Sequence, residues 1–467
     1  MPDFSTIIQA PEIRGIVQDG LLERAFHDAL FPRMLFRGEA TPVPWPTGIG
    51  DTQIFSAPGL IPVDARALQP GSDPDPVTYT VEQWEATLQQ FASTIDTHMP
   101  TSITAIANLF LRNAHQLGMM SGQTLNRIVR NQMYGAALSG WTVTSGTSTT
   151  TALPAQRLNG FTRARNPALA AGSPVRFGQV SASNPLAITV FDNGVATANT
   201  VVGYTPTTPG DEVGPGTLTL GTSVTNVASR AYVLAADRTA IVRVGGGLKV
   251  DSLVAGTTIP TLASVRAAVA TFWQQNVPEH PDGRFHCHID PTSQNLIFAD
   301  SEFQRLLTAL PDYYMYKQFA LGELLNTVFF RNSECPIVDT VIGGLTATFD
   351  PRDPFPGELT INGAVGGGYV HRMLFSAQGG IFEYYQDMSQ LITEAGLNGK
   401  IGDPRIVNNG IEVITDRVQL VIRGPMNRLQ DQVSTSWKFL GAWPVRTDAA
   451  TGSAPRYKRF LAIEHSE

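Results

Sequence analysis

Between residues 280 and 290 the chain carries His280, His286, Cys287, His288 and Asp290. If this stretch is extended, side chains two apart share a face, so His286 and His288 stand at the spacing of two ligands to a transition metal. With Asp290 they would form a two-histidine, one-carboxylate set of the kind that activates water for hydrolysis. A strand turning two histidines to water accounts for the same residues. Spacing supplies no further ligand, because His280 lies across a Pro-Gly turn. The carboxylates Asp300, Glu302, Glu323 and Glu334 are scattered and fit caps and surface charge, with Asp300 or Ser301 capping a helix that starts at 302. Tyr313, Tyr314, Tyr316 and Phe319 are of a type that stacks on bases, but a packed core or a subunit interface suits the run better. The sequence contains no GxxxxGK[ST], no GxSxG, no HExxH and no CxxC. No catalytic residue, cofactor site or metal ligand is therefore assigned, and the chain is expected not to be an enzyme.

The element that organises the chain is a helix expected over 101–140. Ile103, Ile106, Phe110, Ala114, Leu117, Leu125, Ile128 and Met133 recur on one face, opposite Asn108, Arg112, Gln116, Gln123, Arg127 and Arg130. Pro100 suits the first turn and Gly140 the stop. Gly118 and Gly122 weaken the middle by about 1 kcal/mol each relative to alanine, so packing must hold it straight or it bends there.

Upstream, 1–36 is an arm with an amphipathic helix built on Ile13, Ile16, Val17, Leu21 and Leu22. Residues 37–100 read as a long β-hairpin. In it Trp84, Ala86 and Leu88 alternate with Glu85 and Thr87. From 141 to 245 the composition shifts to Thr, Ser, Gly, Val and Asn, with strands expected at 175–180, 187–191, 217–220 and 231–234. Asn193-Gly194 marks a tight hairpin turn in this β-rich segment, and its Thr/Ser tract at 143–152 is compatible with disorder. Beyond it come a helix over 261–276 with Leu262, Val265, Val269, Phe272 and Trp273 on one face, a turn at 278–283, a strand at 285–289 and a helix at 301–307. A hairpin at 410–423 and strands at 440–445 and 457–463 finish the chain. The fold class is α+β.

The 467 residues allow two or three cores. A charged fraction of 16%, against roughly 25% in ordinary globular domains, suggests surface buried against neighbours. A net charge of −7 argues against a dedicated nucleic-acid binder. Cys287 and Cys335 make no disulfide framework, and neither a secretory signal nor an apolar run of membrane length is present, so folding in a cytoplasm is expected.

The runs FHCHIDPTSQNLIFADSEFQRLL and FALGELLNTVFFRNSECP, with Pro291, Leu296, Asp300, Phe303, Gly322 and Glu323, resemble a segment of tailed-phage major capsid proteins. The order of arm, hairpin, long helix and α+β body is similar to that of the Hong Kong 97 type capsid fold. The resemblance implies an N-arm (1–36), an E-loop-like hairpin (37–100), a spine helix (101–140), an inserted all-β surface domain (141–245), a peripheral-domain part (246–285), an axial-domain-like body (286–415) and C-terminal strands returning to the peripheral domain (416–467). It implies a virion protein, made in the host cytoplasm, that self-assembles into hexamers and pentamers of an icosahedral shell around double-stranded DNA. The implied partners are further copies of itself, a portal, a separate scaffolding protein, a decoration protein and non-specifically the packaged DNA, with no membrane. Trp84 and Leu88 in the hairpin and Phe110, Leu117 and Leu125 on the helix are the residues expected to carry assembly. The competing expectations are a tail or fibre receptor-binding protein, suggested by the Thr/Gly-rich β segment, and a metal-dependent hydrolase using His286, His288 and Asp290.

Overall fold

The computed structural model describes residues 35–46, 50–58, 71, 73, 81–98, 109–166, 174–247, 252–308, 322–336, 370–386, 405–423, 429, 431–448 and 455–466, apart from isolated positions within these ranges. The expected arm helix and the aromatic run at 313–319 lie outside the described residues. The fold is α+β, with many strands and few helices. Its contacts separate it into two compact units. The first comprises Met1–Gln53, Ala86–Arg130 and Ile381–Pro444; the second comprises Ile54–Glu85, Asn131–Gly380 and Val445–Glu467.

The long helix, α1, is described over Leu109–Ala137, 29 residues or about 43 Å. Its helical hydrogen bonding continues through Gly118 and Gly122, which are both buried. Ala114, Leu117, Leu125 and Met133 are fully buried, as their spacing predicts. Arg130 departs from the expected polar face and is 6% exposed. Gly140 follows as the stop, at φ +79°, with room for no side chain: an added Cβ would stand 2.8 Å from that of Arg238.

The first unit is built on a seven-stranded sheet. Gln432–Ala442 lies within it, paired antiparallel with Gln89–His98 on one side and Val418–Arg423 on the other. Its side chains alternate, with Val433, Thr435, Trp437 and Phe439 buried and Ser434, Ser436 and Lys438 half-buried. The strand expected at 440–445 is thus the end of a longer one; it was obscured because its serine and threonine positions dilute the apolar signal. The hairpin Gly410–Thr415 and Val418–Arg423 forms at its expected place, and Val418, Leu420 and Ile422 are buried. In the same unit α1 receives the chain at Phe36, whose amide donates to Asn126 Oδ1 at 2.8 Å.

The second unit holds two six-stranded sheets. One is drawn wholly from Trp141–Ala235, in the spatial order 141–143, 232–235, 186–192, 195–206, 216–220, 152–155. Leu186–Asp192 and Val195–Pro206 are joined through Asn193 and Gly194, both at positive φ, the turn that matches the twist of paired strands. The Thr/Ser tract is ordered here: Ser148 exchanges backbone hydrogen bonds with Val227, and its hydroxyl donates to Ala152 O. Leu153, Leu158, Phe161, Ile188, Val190, Val201, Leu218 and Val233 fill this sheet's core.

The other sheet has the order 241–243, 460–466, 370–376, 285–289, 327–331, 323–324. Helix α2, Leu262–Gln274, buries Leu262, Val265, Val269 and Phe272 in a core with Phe285, Cys287, Met373, Phe375 and Ile463. Trp273 was expected on that face but is 56% exposed, because the step from Phe272 carries it around the helix. Helix α3, Pro291–Ala299, was not expected; α4, Ser301–Thr308, was. The signal for α3 was Asp290-Pro291-Thr292, an N-cap carboxylate followed by proline at the first helical position. The span 286–415 is shared between sheets, since 285–289, 327–331 and 370–376 lie in this one and 382–385 and 405–415 in the first unit's.

Candidate functional site

The strand Phe285–Ile289 forms as its sequence predicts and places His286, His288 and Asp290 on one side. Phe330, on the neighbouring parallel strand, meets both imidazoles, edge-on to His286 at 5.1 Å and stacked on His288 at 5.5 Å. His280 crosses the Pro-Gly turn to stack on His286 at 3.9 Å, and His286 Nε2 lies 3.0 Å from Asp282 Oδ2. His288 is fully buried, which corrects the picture of two water-facing histidines. Asp290 is committed elsewhere: Oδ2 accepts from the Thr292 and Ser293 amides, capping α3, and stands 2.9 Å from His371 Nδ1. The three proposed hydrolase ligands therefore do not converge as a group.

Asp290 instead belongs to a buried network that sequence reading missed. Ser293 Oγ contacts Asp290 Oδ1 and lies 2.7 Å from His465 Nε2, while His465 Nδ1 donates to Ser466 O at 2.9 Å. His371 and His465 stack with ring centres 5.5 Å apart. Serine, histidine and aspartate are adjacent here, but Ser293 is fully buried, and the carboxylate meets the Ser293 hydroxyl and the His371 imidazole rather than His465, the imidazole that the hydroxyl meets, so the group lacks the exposed nucleophile and the relay order of acyl transfer.

Burial opposes the Asp290 charge, yet the hydrogen bond and charge of His371 and the hydroxyl and amide of Ser293 outweigh it and hold the carboxyl down to about 2. Burial pushes His465 down to about 4, against the pull of the Ser466 carbonyl. An unfolded His465 would titrate at its ordinary value of 6.5. Between about 4 and 6.5 the unfolded chain thus binds the extra proton, so this contribution is complete above 6.5 and lost as pH falls through 4. Its span is about 3 kcal/mol.

Glu82 has the opposite sign. Burial first, then the Asp448 charge, raises it from 4.5 to about 7 against Arg446, Lys458 and Arg459, so its contribution is complete below 4.5 and lost as pH rises through 7. The expected result is a thermal midpoint whose acid-side fall between pH 6.5 and 4 flattens in His465→Asn. In Glu82→Gln the decline between 4.5 and 7 flattens instead. Scanning calorimetry across pH 4–8 checks both, and a His465→Asn profile as steep as that of the parent would refute the first.

The residues expected to carry assembly divide by environment. Leu117 and Leu125 are fully buried on α1. Phe110 belongs to α1, its side chain outside the described residues. In the hairpin, Thr52–Pro58 pairs with Val81–Thr87, Gln83 Nε2 donates to Ser56 Oγ at 2.9 Å, and Phe55 stacks on Trp84 at 6.3 Å. Arg446 lies 5.8 Å from the Trp84 ring centre. Leu88 is half-buried, and its amide donates to Asp51 O at 2.8 Å. No residue of Thr52–Pro58 is buried, and Ile54 is 45% exposed.

No helix among the described residues is long and apolar enough to cross a membrane. No family model matches the chain, and no curated protein matches it. Among solved structures it is similar to the capsid of the cyanophage P-SCSP1u, at 10% identity over 93% of this chain and 88% of that one, with a TM-score of 0.45. It is likewise similar to the capsid of Ralstonia phage GP4, at 12% identity, 94% and 92% coverage and a TM-score of 0.45. A third is the capsid asymmetric unit of cyanophage Pam1, at 10% identity, 90% and 86% coverage and a TM-score of 0.46. At these scores the likeness carries no inference about this chain's fold or activity.

Proposed function

We propose that this chain is the major capsid protein of a tailed bacteriophage, built into the virion as hexamers and pentamers of an icosahedral shell around double-stranded DNA. The observation that carries this reading is the hairpin Thr52–Pro58 with Val81–Thr87. It keeps Ile54 exposed and Phe55 and Trp84 only half-buried. With the two-residue strand Pro174–Val175 it makes a three-stranded sheet that buries Glu82, Ala86 and Val175 among its described residues; so small a sheet gains burial by lying on a neighbouring copy. The 29-residue α1, with Ala114, Leu117, Leu125 and Met133 buried along one face, is a long element against which such contacts can be repeated.

On this reading 1–36 is the N-arm, 37–100 the E-loop and 101–140 the spine, while 141–245 is an inserted surface domain on the shell's outer face. The segments 246–285 and 416–467 contribute to the peripheral domain and 286–415 to the axial domain. Synthesis is in the host cytoplasm, with a portal and a separate scaffolding protein as partners and a decoration protein as a further one. A net charge of −7 suits a lining that touches packaged DNA without gripping its phosphates.

Sedimentation velocity of the purified chain, with negative-stain images of the fastest fraction, tests the proposal. Shells, hexamers or pentamers are expected; a stable trimer would favour a tail or fibre component, and a lone monomer that ignores a co-expressed scaffold would overturn the capsid reading. Residues 37–99 contain no lysine, so the hairpin cannot form a lysine–asparagine isopeptide with its neighbour. Assembled particles boiled in reductant and detergent are expected to run as a single monomer band. A covalent ladder would contradict this.

A further inference from the structure

The hairpin of Leu186–Asp192 and Val195–Pro206 turns at Asn193-Gly194, and the same dipeptide recurs in the second unit as Asn159-Gly160. An asparagine followed by glycine can react with its own backbone. The glycine nitrogen attacks the side-chain carbonyl, and no Cβ stands in the way of its approach. The two sites carry this chemistry in opposite surroundings.

Asn193 stands in the open. It and Gly194 are exposed, the adjoining Val195 is 64% exposed, and a Cβ added at Gly194 would meet nothing within 4 Å. Among the described residues no group binds the Asn193 side-chain amide, and the Gly194 N–H donates to no acceptor. The neighbouring strands also stop short of this tip: 216–220 pairs with Val195–Pro206 only from Val201 onward, and 232–235 pairs with Leu186–Asp192 only as far as Phe191. Asn159 is held instead. Its Nδ2 donates to Gly135 O at 2.8 Å, and its carbonyl accepts from the Gly140 amide at 3.2 Å. Gly160 is buried so closely that an added Cβ would stand 2.2 Å from the Gly140 nitrogen.

We propose that Asn193 is a modification site of the folded chain, converting spontaneously to a mixture of aspartate and isoaspartate with water as the co-reactant, while its packing keeps Asn159 an amide. In the first step the bond from the Gly194 nitrogen to Asn193 Cγ forms and the Cγ–Nδ2 bond breaks. Nδ2 leaves as ammonia, carrying the proton that Gly194 gives up. Water then opens the cyclic imide. Cleavage between Cγ and the Gly194 nitrogen leaves aspartate on an ordinary backbone; cleavage between the Asn193 carbonyl carbon and that nitrogen leaves isoaspartate, whose main chain runs through Cγ. Either product places a new negative charge beside Asp192. Isoaspartate also lengthens the turn by a methylene, so the pairing of Asp192 with Val195 that closes it is lost. The damage ends at Phe191 and Val201, where the neighbouring strands begin to hold the sheet. The step needs only the folded chain and water, so it stands or falls apart from the capsid reading.

The test keeps the full-length chain folded at neutral and at mildly alkaline pH, samples it over time, and maps its peptides by mass spectrometry with fragmentation that separates aspartate from isoaspartate. Conversion at Asn193 is expected to be first order and faster at the higher pH, because the attacking nitrogen must lose its proton. It should run roughly tenfold or more faster than at Asn159, which must first give up a hydrogen bond and its packing. In denaturant the two sites should convert at similar rates, since the surroundings that separate them are gone. The proposal is overturned if Asn193 keeps its amide in the folded chain over times at which the denatured chain converts, or if both asparagines convert at one rate while the fold is intact.

Discussion

Leu117→Asp is expected to abolish the soluble subunit, whereas Trp84→Ala leaves it folded and fails at assembly. Leu117 is fully buried on α1, with Ala114, Ser121 and Leu125 buried on neighbouring turns. Replacing it with a carboxylate forfeits about 1.5–3 kcal/mol of apolar burial and leaves an ion with no designed partner, which costs several kcal/mol more. The sum rivals the roughly 5–15 kcal/mol that holds an ordinary domain together. Trp84 sits in a different balance. Its ring is half-buried, touching Phe55 and Arg446, so truncation removes little of the subunit's own stability. What it removes is the largest apolar side chain among the hairpin's described residues, and buried aromatic anchors dominate contacts between copies. Soluble yield and far-UV circular dichroism report the first effect, sedimentation the second. Equal loss of solubility in both variants would refute the division of labour between helix and hairpin.

Why some of this was legible beforehand follows from the range of the interactions. Helix α1 and its stop at Gly140, the Asn193-Gly194 hairpin and the strand Phe285–Ile289 are written in periods of 3.6 and 2 and in local turn chemistry. Over the described residues, Leu109–Ala137 for α1, they form where the pattern puts them. The failures also have local causes. Trp273 follows Phe272 directly and cannot share its direction, and α3 is hidden because a proline such as Pro291 marks a turn as readily as a first helical residue.

The charged cores were illegible for another reason. Arg243 and Glu464 are 221 residues apart and meet only because strands 241–243 and 460–466 pair in parallel. In the sequence, the sole trace is charge inside apolar strands, as with Arg372 in VHRMLFS and Glu464 in FLAIEHS. The histidine cluster illustrates the limit of spacing. Alternation correctly put His286 and His288 on one face, but whether that face met water, metal or Phe330 was decided by a strand some forty residues on.

In the first unit, removing Glu383 is expected to be among the most damaging single changes in the chain. Its carboxylate is 1% exposed and receives Arg37 in a fork, Nε to Oε2 at 2.8 Å and Nη2 to Oε1 at 2.7 Å, with Arg417 Nη1 3.0 Å from Oε1. Arg37 is itself 5% exposed and lies 5.6 Å from the Phe439 ring centre. The pair joins the strand 382–385 to the segment that leads into its parallel neighbour, Thr41–Pro44. Glu383→Ala leaves a buried guanidinium without its principal counter-charge, at a cost of about 3–5 kcal/mol. The double variant Arg37→Met, Glu383→Leu removes both charges and keeps most of the volume, so it should recover much of that loss. Chemical denaturation of the four members of this cycle measures the coupling directly. If Glu383→Ala and the double variant are destabilised equally, the pair acts through packing alone, and the fork is not what holds the N-terminal strand to the sheet.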